Sequence, residues 1–266
     1  MLKTNNHLAE EIAMRPIQTD LSGFAKLNLE KPIIGVKFLF FKPEGLEPLS
    51  SEKPLSFCEM LVEAQKSKRP FYFNKQYPET CVGKILLGMQ DMAPFAESGH
   101  IGEKLQIFQE ARANYAFYQH VPKFDRNIVN FVAFSPLDTL SFEPDLLIIT
   151  ADHSQAEIVM RSMTYSTGEL YNSRTTPVMG CAWIFVYPFQ SGCVNFIVPE
   201  FVHGMKGREL FPTESVVISI PYHWIPTMTR NLNEMKLHLP SHESKKQYLD
   251  EFGSILSELD RKSKNL

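Results

Sequence analysis

The stretch Pro32-Ile-Ile-Gly-Val-Lys-Phe-Leu-Phe-Phe41 carries a single charge, Lys37, in an otherwise apolar run. Strand side chains alternate between two faces, so an unbroken apolar run presents both faces to a core. Such a strand belongs inside a sheet covered on both sides. Lys37 is the exception within it. A buried lone ammonium is costly, so its amine is expected either to reach a pocket or to pair with a carboxylate such as Glu143 or Asp145.

Outward from this strand, helix and strand signals alternate irregularly. Ser56-Phe-Cys-Glu59 has capping-box spacing and opens a helix with Phe57, Met60, Leu61 and Ala64 on its core face. Lys66 to Arg69 closes it with cations, which suits the negative end of the helix dipole. Further helices are expected over 80–87 and over 102–119, the latter with Leu105, Phe108, Tyr115 and Tyr118 near one stripe. A helix starting at 152–157, with Ser154 and Glu157 in capping-box register, runs to Thr167 and stops at Gly168. A short helix over 8–13 precedes Pro16, and another covers 225–237. Strands are expected over 128–134, 146–150, 178–187, 193–198 and 216–220. Several strands in succession near the end favour an α+β class over a doubly wound parallel fold: a mixed β-sheet with packed helices. No boundary divides the chain, so residues 1–266 are read as one large domain with its core over about 20–237.

The last expected helix, over 244–263, carries Tyr248, Phe252, Ile255, Leu256 and Leu259 on one stripe. That stripe calls for burial, against its own domain or against a second subunit. The expectation drawn from it is a homodimer.

Composition narrows the function classes. Of 266 residues, 44% are hydrophobic, enough to exclude intrinsic disorder. The net charge of −3 argues against a nucleic-acid partner held by a global basic field. The N-terminus lacks the apolar run of a secretory signal, and no apolar run approaches the ~18–20 residues that span a bilayer. The expectation is a cytoplasmic protein without a membrane partner, in which thiols stay reduced.

Four cysteines are the sharpest chemical feature: Cys58, Cys81, Cys181 and Cys193. None has C-x-x-C spacing, so the strong zinc and ferredoxin signatures are absent. Cys58 and Cys81 are each expected in the first turn of a helix, where unpaired N–H groups favour a thiolate. The two helix starts are also expected to lie near one another. Cys181 follows Gly180 and Cys193 follows Gly192, and a neighbouring glycine lets backbone approach closely. One reading makes these four cysteines the ligands of an iron–sulfur cluster or zinc. The bland reading is packing, since free cysteine behaves as a small hydrophobe. A third makes the protein a binder of a small acidic ligand in an apolar pocket, held by Lys37, Arg174, His203 and Arg208. A structural or partner-binding role through the tail helix is a fourth. No G-x-S-x-G elbow and no Ser/His/Asp order is present, so the residues support no specific catalysis.

The order of several short segments resembles one family. Pro32-Ile-Ile-Gly-Val-Lys-Phe38 is followed by Leu55-Ser-Phe-Cys58, then by Cys81 with Leu87-Gly88. Phe134-Ser-Pro-Leu137, Phe142-Glu-Pro-Asp145 and Thr164-Tyr-Ser-Thr-Gly168 come next, and the run closes with Gly204–Arg208, Thr213-Glu214 and 216–221. This pattern, over about 20–237, resembles the domain-of-unknown-function 169 family, the uncharacterised ArCR proteins. The resemblance supplies no reaction. It implies that Cys58, Cys81 and Cys181 occupy positions where relatives also carry cysteine. It further implies a cysteine in the Gly/Arg loop, where this chain has Gly204 and Met205.

Overall fold

The strand containing Lys37 stands inside a sheet, as its two-sided apolar pattern requires. The computed structural model describes residues 15–264, and the helix expected over 8–13 lies outside them. Six strands, β1 (Ile34–Leu39), β2 (Phe71–Asn74), β3 (Phe131–Pro136), β4 (Leu146–Ala151), β5 (Asn195–Ile197) and β6 (Val216–Pro221), form one sheet in the order β2-β3-β1-β4-β6-β5. The class is α+β, as expected. The sheet, expected to be mixed, has antiparallel ladders throughout, and its one parallel contact is an isolated bridge from Pro48 to Tyr72. The reason lies in the connections. After β4 the chain returns to the end it left, placing Val216 opposite Ala151, and that makes the neighbour antiparallel.

Among the described residues the helices are α1 (Ser22–Ala25), α2 (Phe57–Ser67), α3 (Gly83–Leu86), α4 (Pro94–Glu97), α5 (His100–Lys104), α6 (Ala111–Tyr118), α7 (His153–Thr164), α8 (Tyr187–Ser191), α9 (His203–Lys206), α10 (Ile225–Glu234) and α11 (Lys245–Ser263). They cover both faces of the sheet. Ile148 of β4 faces one core with Phe57, Met60 and Leu61 of α2. Its neighbours Leu147 and Ile149 face the other, with Val159 and Met163 of α7 and Met228 and Leu232 of α10. This is the period-2 alternation of a strand buried on both sides.

The α2 capping box forms as its spacing predicts. The Ser56 amide donates to Glu59 Oε2 at 2.7 Å, and the Glu59 amide donates to Ser56 Oγ at 3.4 Å. All four expected core residues of α2 are buried. The cap of α7 is Asp152 with Gln155, rather than Ser154 with Glu157. Glu157 instead pairs with Arg161 one turn on, at 2.7 Å.

Three element assignments are corrected. Residues 178–187, expected as a strand, form a π-helical segment (Ala182–Val186) that continues into α8. An apolar run without alternation reads the same for a buried strand and a buried helix. The single helix expected over 102–119 is two short ones, α5 and α6, broken where Gln106 adopts φ 57°. The helix expected from Thr80 starts only at Gly83. Strand β2, which no sequence signal had marked, is short and aromatic at the sheet edge. The tail helix α11 forms, but none of its residues is buried. Its stripe is open, with the Tyr248 and Phe252 rings stacked at 5.8 Å.

Candidate functional site

The start of α2 organises the site. Glu79 precedes α3, and its carboxylate serves two helix starts at once. Its Oε1 accepts from the amides of Phe57 (3.4 Å), Cys81 (2.9 Å) and Gly83 (3.3 Å), and its Oε2 accepts from Lys84 (3.4 Å). Gly83 has no room for a Cβ, which would collide with the Phe57 side chain. Carboxylate and glycine together press the two helix starts against each other, and Cys58 and Cys81 come to one place.

Cys181 joins them from the far side of the chain. It precedes the π-helical segment, whose Phe185 ring stacks on Phe57 with centroids 4.1 Å apart. Gly180 is less constrained: a Cβ there would meet the mobile end of the Met205 side chain. Helix α9 therefore packs onto this segment through Met205. π-turns concentrate at functional sites because they displace side chains from helical register.

These elements enclose a cavity of about 220 Å³. Cys58 and Cys181 are buried in its wall, at 8% and 3% exposure, and Cys81 lies at the exposed rim. Met92, Ile101, Leu105, Ile107, Val178 and Leu210 make much of the remaining lining apolar. Polar groups are few. Asn114 and Tyr118 enter from α6, and the exposed His203 and Arg208 stand at the opening. Arg208 is anchored by Glu59 Oε2 at 3.2 Å, so the capping box of α2 also positions the cation at the mouth. Burial opposes ionisation of Glu59, but the two hydrogen bonds with Ser56 and the charge of Arg208 outweigh it and hold its carboxyl below the usual range.

The thiol chemistry differs from the expectation. Cys81 was expected to be an acidified thiol. Desolvation instead pushes it up to about 11, with the neighbouring Cys181 and Glu79 acting in the same direction. The shift stands although the residue as a whole is exposed at the cavity rim. The amides of Cys81, Gly83 and Lys84 are already bound to Glu79, and the Val82 amide, which still favours the thiolate, does not outweigh desolvation. Cys181 lies well above the ordinary thiol range, because of its neighbour Cys58 and then its burial. Glu79 is itself raised by burial despite the backbone donors around it. Glu79 was missed in the sequence reading; its position four residues before the first residue of α3 was the available signal.

The four cysteines expected as one metal set do not share one place. Cys58, Cys81 and Cys181 line one cavity, while Cys193 is outside it, with its amide on Ser191 Oγ at 3.1 Å. Cys193 follows α8 at Gly192, and Trp224 holds that turn through the Gly192 carbonyl. Among the described residues, no group of three or more His, Cys, Asp or Glu side chains is arranged to hold a metal ion. The ligand set Lys37, Arg174, His203 and Arg208 is also divided. Lys37 donates to the Glu143 carbonyl at 2.8 Å and lies 3.5 Å from Asp145 Oδ1. It is the paired ammonium expected inside a sheet, away from the cavity. Burial raises the Asp145 carboxyl, against the pull of Lys37. Arg174 lies 5.9 Å from the Tyr187 ring centroid, and its backbone is pinned by Asn195. It does not line the cavity.

No described helix is long and apolar enough to cross a membrane. The family model described as DUF169, uncharacterised ArCR, matches residues 25–231. No curated protein and no solved structure matches the chain.

Proposed function

The chain belongs to the domain-of-unknown-function 169 family, and on that premise we propose that it binds a small amphipathic acid in the thiol-lined cavity. The observation carrying this reading is an apolar enclosure of about 220 Å³ with a cation, Arg208, held at its opening. Ligand sites combine such walls with a few placed polar groups. Cys81 and Cys181 hold their protons at neutral pH, so they act as small apolar wall groups and place no negative charge beside the ligand. The acid group goes to the mouth, where a guanidinium with donors to spare can take a carboxylate or phosphate. His203 flanks the same opening. The reading includes a cytoplasmic setting, in keeping with four free cysteines.

Calorimetric titration with benzothiophene-3-acetate, an apolar bicycle bearing a carboxylate, tests this. Saturable one-site binding is expected. Arg208→Ala should weaken it roughly tenfold, the worth of one charge-assisted hydrogen bond. Gly204→Trp should block it, because Gly204 lines the cavity and a side chain there meets no atom within 4 Å. Absence of saturable binding, or binding indifferent to both substitutions, overturns the reading.

A further inference from the structure

One polar atom in the cavity wall has no partner. Asn114 lines the cavity and is 1% exposed. Its Nδ2 donates to the Gly99 carbonyl at 2.9 Å and to Tyr118 Oη at 3.1 Å. A carbonyl only accepts, so the amide nitrogen must be the atom facing Gly99. That settles which way round the amide sits. Its Oδ1 is then the buried atom that finds no hydrogen bond.

The chain holds Asn114 in this position at some cost to its own regularity. The break between α5 and α6 folds α6 back so that Asn114 reaches Gly99, which has φ 85° and opens α5. Gly102 of α5 packs so closely that a Cβ there would come within 2.5 Å of Asn114 Nδ2. Buried polar groups are nearly always satisfied, and an orphan in a native wall calls for an explanation. Here the orphan belongs to a side chain that lines an apolar cavity.

We infer that Asn114 Oδ1 accepts a hydrogen bond from the ligand. This rests on the amphipathic-acid reading and sharpens its substrate class. The ligand is an acid whose apolar body carries one N–H or O–H donor, of indole, phenol or amide type. The acid group sits at Arg208, and the donor sits inside, at Asn114. A ligand donor pairs the Oδ1 that is unpaired in the free protein, an apolar body without a donor leaves it as it was, and that difference is the basis of selection.

The test compares indole with benzothiophene, two neutral bicycles of nearly the same shape, one with an N–H and one without. Both are small against the cavity, so the donor can turn to meet Asn114. In the wild-type protein indole should bind, and Asn114→Leu should weaken indole about fivefold while leaving benzothiophene unchanged. A second readout needs no variant. Indole should move the side-chain amide resonance of Asn114 further downfield than benzothiophene, which acts on it by ring current alone, in the wild-type spectrum. If benzothiophene itself fails to bind, the cavity reading falls. If benzothiophene binds but indole shows neither the Asn114-dependent loss nor the further downfield amide shift, this inference alone falls. Should Asn114→Leu fail to fold, the wild-type resonances decide.

Discussion

The two faces of the sheet are filled in different ways. On one face α7 and α10 lie as regular amphipathic helices, and Val159, Met163, Met228 and Leu232 close a continuous core with β4 and β6. On the other, α2 is the one helix with a complete capping box. The rest of that cover is assembled from α3, α4, α5, α6, the π-helical segment and α9. Its breaks are marked by left-handed backbone at Gly99, Gln106 and Met179. Regular helices fill the groove above a sheet turn after turn. Short pieces meeting at angles cannot, and the cavity lies where they meet. The irregular face also carries the orphaned Asn114 and the three thiols of the cavity wall. Departures from local rules concentrate at functional sites for this reason.

The contrast is broken most directly through packing. Met228 is fully buried on the regular face. Met228→Ala should lower the unfolding free energy by about 2–5 kcal/mol, as expected for a truncation in a closed core. Ile107→Ala, at the half-buried cavity wall, should cost under about 1 kcal/mol, because less apolar surface leaves contact. Denaturant unfolding of the two variants measures both. Equal losses would mean that the cavity face is packed as tightly as the other.

Next in size is Glu79, which binds four backbone amides across two helix starts. Glu79→Ala should cost roughly 1–3 kcal/mol in the same measurement, since several part-buried donors lose their acceptor together. Its pKa is raised, not lowered. The folded state therefore keeps the proton to higher pH than the unfolded chain does. The protonation contribution of Glu79 to stability is present below the ordinary glutamate range and is lost as pH rises through the folded value.

Cys81 offers a smaller, pH-resolved effect. Its thiol is raised from 9.0 to about 11. Between those values the unfolded chain has lost a proton that the folded chain retains, so this contribution to stability falls as pH rises through that window. Alkylation by iodoacetamide, followed by peptide mass analysis, should still be accelerating at Cys81 between pH 9 and 11. A rate that levels off near pH 9 would show an ordinary thiol at the rim. The smallest effect belongs to the tail. Ending the chain after Leu239 removes a helix with no buried residue, so the melting temperature should move by less than about 2 °C and binding in the cavity should not change. A large drop would reveal a partner surface for the stripe of Tyr248, Phe252 and Ile255.

Much of the regular face, and the frame of the sheet, could be read from the residues. The two-sided apolar pattern of β1, the runs of β4 and β6, and the helix α10 all carry their own periodicity. So does the capping box of α2, which depends only on side chains three residues apart. The cost of burying an ammonium called for a pocket or a carboxylate at Lys37, and the fold supplies the 143–145 segment. The irregular face was harder to read. Residues 178–187 have no period that separates a buried strand from a buried helix, and a π-turn is favoured by its surroundings rather than by propensity. Four cysteines in a sequence cannot say which three will meet.

What the sequence determined by itself, then, were local matters: the class, the central strand, the capped helix, and the presence of thiols and cations that needed a place. The tertiary structure alone decided that Cys58, Cys81 and Cys181 share a wall from which Cys193 is absent, that Glu79 takes N–H groups a thiolate would have used, and that Asn114 is left with an unpaired oxygen. The physical reason is range. Capping and periodicity act over a few residues, whereas desolvation, cavity shape and hydrogen-bond satisfaction depend on segments far apart in the chain that meet only in the fold.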